Sequence, residues 1–191
     1  MFRKLCRLVP PMLLVVAATV AVTAQVPADV YKLTYFANNS PTANQVIRII
    51  NPGTVSDSSP AGDLCAAVYV FNLEQLNACC SCRITPNGGI ALNVYTNLTS
   101  NTLLGKIPSA GVVKVVSSLP VGGTCDPTHL SATPTLRGWA THHQNGQTNV
   151  TDEELEDSPL SSAEYADLQE DCTVLEELGS GAGICSCGTS F

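Results

Sequence analysis

Cys79-Cys80-Ser81-Cys82 puts three cysteines into four residues, between two stretches that read as strands, and no other feature constrains the chain as strongly. What such a cluster can do depends on the compartment. A basic start (Arg3, Lys4, Arg7) precedes an apolar run over 12–22 and then Val22-Thr23-Ala24. Small residues at Val22 and Ala24 suit signal cleavage before Gln25. The run is shorter than the ~20 apolar residues that span a bilayer. Cys6 lies in the charged region, not directly after the apolar run, which disfavours lipid attachment. Residues 1–24 therefore read as a signal peptide, with no membrane span left after cleavage. The expected location is secreted, periplasmic or cell-surface.

Removing that segment leaves 167 of 191 residues, enough for one domain with one core. The nine cysteines become eight: Cys65, Cys79, Cys80, Cys82, Cys125, Cys172, Cys185 and Cys187. An even number in an exported protein favours four disulfides, and the sequence leaves open which sulfurs pair. At ~2–4 kcal/mol each, four bridges rival the ~5–15 kcal/mol net stability of an ordinary domain. The segment also carries three of the nine Lys and Arg and no acid, so the charge moves from −7 to −10. Such a chain repels phosphate backbones and anionic membranes, which argues against nucleic acid as a partner.

From Val30 to Phe36 the pattern alternates, with Tyr31, Leu33 and Tyr35 on one face and Lys32 and Thr34 on the other. Gln45 to Ile50 resumes after a turn, placing Ile47 and Ile49 opposite Arg48. The unbroken apolar run Leu64 to Phe71 belongs in the middle of a sheet. A short polar turn returns the chain through Ala78 to Thr85 beside it, which brings Cys65 close to the cluster. Pro86-Asn87-Gly88-Gly89 reads as a hairpin turn before Ile90, Leu92 and Val94. Val112 to Val116 and Thr135 to Thr141, around Trp139, complete about seven strands. The fold class expected for 25–150 is an antiparallel β-sandwich.

No Lys or Arg follows Arg137, while 11 of the 16 acids lie in 152–177. Residues 151–191 read as an acidic helical tail packed on the same domain. Ser161 with Glu164 fits a capping box, and Tyr165, Leu168, Cys172, Leu175 and Leu178 form a core-facing stripe ending at Gly179. Glu176 and Glu177 oppose the helix dipole, which a covalent tie would offset. A Gly-rich reversal then leads to Ile184-Cys185-Ser186-Cys187.

The cysteines could ligate a soft metal. Adjacent Cys79 and Cys80 fit one tetrahedral ion poorly, and outside the cytoplasm the thiols would be oxidised. Structural disulfides are the reading adopted, with metal-binding or redox exchange as the alternative. His129, His142 and His143 are the only histidines available for base or ligand work. His142 and His143 would point to opposite strand faces. The nucleophile-elbow, H-E-x-x-H and P-loop patterns are absent. Asp152-Glu153-Glu154-Leu155-Glu156-Asp157 lacks the alternating ligands and glycine of a calcium loop and reads as a solvated acidic loop. Asn38-Asn39-Ser40, Asn97-Leu98-Thr99 and Asn149-Val150-Thr151 fit the N-glycan acceptor pattern, relevant only in a glycosylating host.

Asn51-Pro52-Gly53-Thr54, Leu64-Cys65-Ala66 with Tyr69-Val70-Phe71, the Cys79-Cys80-x-Cys82 cluster, Thr85-Pro86-Asn87-Gly88, Leu98-Thr99-Ser100-Asn101 and Gly179-Ser180-Gly181-x-Gly183-Ile184-Cys185 resemble a family of uncharacterised secreted cysteine-rich proteins from soil bacteria. The resemblance covers most of the chain after residue 24. It implies export and a shared cysteine framework, with no activity, ligand or catalytic residue to carry over.

The expectation for function is an exported structural or binding module with no catalytic residues, no cofactor and an extracellular or envelope partner. Loops 54–63 and 98–111 are the candidate contact regions. The alternative from another class is a small secreted hydrolase using carboxylates with His142 or His143.

Overall fold

A computed structural model describes residues 28–42, 45–58, 60–73, 75–144 and 149–191. The expected signal peptide, Cys6 and the cleavage point lie outside the described residues. The strands are β1 (Tyr31–Phe36), β2 (Val46–Ile50), β3 (Leu64–Phe71), β4 (Leu76–Ile84), β5 (Gly89–Asn93), β6 (Gly111–Leu119), β7 (Ser131–Ala132), β8 (Arg137–Gln144), β9 (Asn149–Glu154), β10 (Glu156–Ser158) and β11 (Thr189–Ser190). One α-helix, α1 (Ser162–Leu178), follows β10. The strands pair antiparallel in two sheets, one ordered β10-β1-β6-β3-β4 with β7 on β6, the other β11-β5-β2-β8-β9.

The first sheet is buried on both faces, which is why β3 reads without alternation. Ala66, Val68 and Val70, with Phe36, Val113 and Val115, pack against Ile47, Ile49, Ile90 and Leu92 of the second sheet. On the opposite face Tyr31, Ala67, Tyr69 and Val116 pack against Leu168, Cys172 and Leu175 of α1. The molecule is therefore a sandwich with a helix laid on one outer face.

Pro86-Asn87-Gly88-Gly89 departs from its expected role. The turn closes through Gly88 N–H to Thr85 O at 2.9 Å with Asn87 at φ 60°, but β4 and β5 belong to different sheets. Backbone pairing with Asn51 diverts the chain: Asn51 N–H donates to Gly88 O and Asn87 N–H to Asn51 O, both at 2.9 Å. The buried Asn51 side chain donates to Gly62 O at 2.7 Å and Ile84 O at 2.9 Å, and accepts from Gly53 N–H at 2.9 Å. Asn51 thus joins the end of β2, loop 54–63 and the end of β4. The turns after β2 and β4 meet there, and a Cβ on Gly53 (φ 72°) would lie 2.9 Å from Asn87 Oδ1.

The acidic run over 152–157 is not a solvated loop. β9 and β10 pair through their backbones with β8 and β1, and buried Leu155, whose N–H donates to Gly138 O at 2.9 Å, is the point where the chain passes between sheets. The carboxylates diverge: Thr141 Oγ1 donates to Asp152 at 2.6 Å, while Asp157 accepts from Lys32. That ion pair explains why Lys32, expected on the solvent face, is only 3% exposed.

Ser161 caps α1 as expected, accepting from Glu164 N–H at 3.1 Å. The return half of the box is replaced, because the Glu164 carboxylate accepts from Lys114 Nζ at 2.6 Å and Tyr31 OH at 3.0 Å. Leu178 departs from the core stripe and is 76% exposed.

Candidate functional site

All eight described cysteines are paired: Cys65–Cys125, Cys79–Cys172, Cys80–Cys185 and Cys82–Cys187. Alternation along β4 turns Cys79 toward α1 and Cys80 and Cys82 toward the sandwich interior, so the cluster binds two different neighbours. The first neighbour is α1, not Cys65. Cys65 shares the face of Cys79 but lies opposite Arg83, four residues away, or ~13 Å at strand spacing. It reaches Cys125 instead.

The other two bridges hold the C-terminal segment against the open edge of β4. Cys79 N–H donates to Gly183 O at 2.9 Å, and Cys185 N–H to Cys79 O at 3.1 Å. β11 then pairs with β5, so the segment spans from one sheet to the other. A disulfide sulfur offers no thiolate to a metal or to exchange chemistry. Among the described residues the one grouping with metal-ligand spacing is Cys79, Cys172 and Glu176, whose two sulfurs form a single bridge.

The histidines divide as the alternation requires. His142 is 3% exposed, stacked on Tyr35 with ring centroids 4.3 Å apart, its Nε2 3.7 Å from Glu153 Oε2. Burial lowers its pKa from the ordinary histidine value, against an upward pull from Glu153 and Asp152. Neither ring nitrogen has a hydrogen-bond partner among the described residues. His143 is half-buried on the other face of β8, so the two adjacent histidines divide between the core and the outer face. His129 is exposed beside Asp126 (3.3 Å) and Thr128 (2.8 Å). Tyr35, Glu153, Glu154 and Glu156 do border a groove of about 390 Å³ beside His142. No carboxylate there is hydrogen-bonded to the imidazole, so a nucleophile–base relay is not assembled.

A second groove, of about 560 Å³, runs between the C-terminal half of α1, the β3–β4 turn and loop 98–111. Phe71, Leu76, Leu103 and Leu175 form its floor and walls, with Leu73, Val174 and Leu178 at its mouth. Those last three are 92%, 48% and 76% exposed. One exposed apolar side chain is ordinary, whereas three around one concavity form a patch. Loop 98–111 contributes through Leu103, whose N–H donates to Asn77 O at 2.9 Å. Loop 54–63, the other expected contact region, is tied to Asn51 and lines neither groove among its described residues.

The helix α1 carries six carboxylates and no cation; Asp171 lines the groove, and Glu164 alone meets a lysine, Lys114. Burial, then Asp167 and Glu170, raise the Asp171 pKa. Sequence reasoning missed this surface because Leu178 has core-stripe spacing; Leu73 in a polar turn was the available signal. Of the acceptor asparagines, Asn38 is exposed, while Asn97 is occupied, accepting from Asn93 N–H at 2.8 Å and donating to Ser186 at 3.0 Å. Compared with protein-family models, with curated proteins and with solved structures, the chain matches none.

Proposed function

We propose that the protein is an exported binding module, a disulfide-stapled sandwich whose contact surface is the apolar groove beside α1. The observation that carries this reading is the gathering of exposed Leu73, Val174 and Leu178 around that groove. Export is supported by the basic and apolar pattern of residues 1–24 and by four disulfides, which persist in oxidising compartments. It is also what the resemblance to secreted soil-bacterial proteins implies. Among the described residues no helix is long and apolar enough to cross a membrane. Binding is favoured over hydrolysis because the His142 nitrogens meet no carboxylate or hydroxyl at hydrogen-bond distance among the described residues.

The test combines fractionation of producing cells with N-terminal sequencing and a turnover screen against polysaccharides, peptides and esters. The expected result is an oxidised chain beginning at Gln25, outside the cytoplasm, without turnover. Turnover abolished by His142→Ala would establish the hydrolase instead, and a reduced cytoplasmic chain would overturn export.

A further inference from the structure

We infer that the groove beside α1 seats a cationic amphipathic peptide segment, its apolar side chains lying between α1 and the β3–β4 turn and its Lys or Arg set over the acidic helix. The inference rests on the binding-module reading and names the partner class. The walls are apolar, so a purely hydrophilic polycation would leave Val174, Leu178 and Leu73 uncovered. Charge then selects among apolar occupants. With Glu164 engaged by Lys114 and Glu176 near Asp126 and His129, Asp167, Glu170, Asp171 and Glu177 remain on α1 with no cation on the helix, and Asp171 lines the groove itself. Lys114 itself lies over the Phe71 ring, 4.3 Å from its centroid.

A second copy would bring the same acidic helix to the interface, and an anionic bilayer would add like charge, so both are opposed by repulsion. A cationic segment gains on both counts: it covers the apolar mouth and relieves the crowding of Asp171 by Asp167 and Glu170. The wall from Asp171 to Leu178 spans about 10 Å of helix, room for two or three side chains at helical spacing.

The probe is a labelled synthetic helix of about 18 residues with Leu at i, i+3, i+4 and i+7 and Lys elsewhere, titrated by anisotropy into the oxidised protein. Saturable binding is expected, weakened at least about tenfold by Leu73→Ser with Leu178→Ser, exposed positions whose replacement leaves the circular-dichroism melt unchanged. Glu170→Gln with Asp171→Gln should weaken it and flatten its salt dependence, and a probe with Glu in place of Lys should not bind. Equal binding to wild type and the Leu73/Leu178 variant overturns the inference, as does equal binding of the Lys and Glu probes. A groove-dependent dimer in sedimentation, or groove-dependent binding of the Glu probe alone, overturns the cationic partner while leaving the binding-module reading intact.

Discussion

The bridges should rank in the reverse order of their sequence separations. Cys65–Cys125 spans 60 residues and Cys82–Cys187 spans 105, so in isolation the second closes the larger loop. They do not act in isolation. With Cys80–Cys185 in place, Cys82 and Cys187 are already joined by a path of about four residues, two along β4 and two along the tail. In the chain-entropy treatment, loss of unfolded-state freedom follows about 2.1 + 1.5R ln n cal/mol/K, which gives about 2 kcal/mol for that residual loop. No other bridge shortens the Cys65–Cys125 loop, which keeps its full value of about 4 kcal/mol. Cys79–Cys172 falls between: thirteen residues from 172 to 185 and one from 79 to 80 leave a loop of about 14, or about 3 kcal/mol. Paired Cys→Ala substitutions test this cleanly. Cys65 and Cys82 are both fully buried, so cavity costs largely cancel between the two pairs. Urea denaturation without reductant, followed by circular dichroism, should give the Cys65/Cys125 pair the larger loss by about 2 kcal/mol. A Cys82/Cys187 loss equal to or larger than that of Cys65/Cys125 would refute the nested-loop reasoning.

Asn51→Ala should cost about 2–4 kcal/mol in chemical denaturation, because the Gly62 and Ile84 carbonyls lose their buried donor; a loss below ~1 kcal/mol would show that Asn51 does not weld the sheet ends. Leu175→Ala should cost about 3 kcal/mol and Leu178→Ala less than about 0.5, since only the first is buried; similar losses would place Leu178 in the core after all. His142, with its folded pKa held below the ordinary value by burial, stays neutral while the unfolded chain takes up a proton. Its contribution to stability is therefore complete above the ordinary histidine pKa and is lost as pH falls below it. Melting temperatures at about pH 7.5 and 5 should differ more for wild type than for His142→Phe, which keeps the stack on Tyr35; equal differences would contradict this.

The elements legible in the sequence are those whose side chains state their surroundings. Ile47 and Ile49 opposite Arg48, the unbroken run of β3 and the Ser161 cap with Leu168, Cys172 and Leu175 each report a face and a neighbour. What was illegible depended on backbone pairing over long separations. Pro86-Asn87-Gly88-Gly89 has hairpin chemistry, yet Asn51, more than thirty residues earlier, holds that turn and sends β5 to the other sheet. The acidic 152–157 run forms edge strands because a ladder needs only N–H and C=O groups, and its carboxylates find Thr141, Lys32 and solvent. Lys32 and His142 are buried by partners, Asp157 and Tyr35, that periodicity does not show. The candidate groove was not legible: Leu178 has the spacing of the core stripe yet is 76% exposed, and Leu73 in a polar turn was the one signal of an exposed apolar side chain.

The cluster Cys79-Cys80-Ser81-Cys82 ties one strand to the helix on one face and to the C-terminal segment on the other, and peptide mapping of the unreduced protein examines that tie directly. Electron-transfer fragmentation is needed, because no protease separates Cys79 from Cys80. The expected map is Cys65–Cys125, Cys79–Cys172, Cys80–Cys185 and Cys82–Cys187, with no free thiol among the eight. A link from Cys79 to Cys185 or Cys187, or from Cys172 to Cys80 or Cys82, would contradict it, since alternation on β4 places those sulfurs on opposite faces of the sheet.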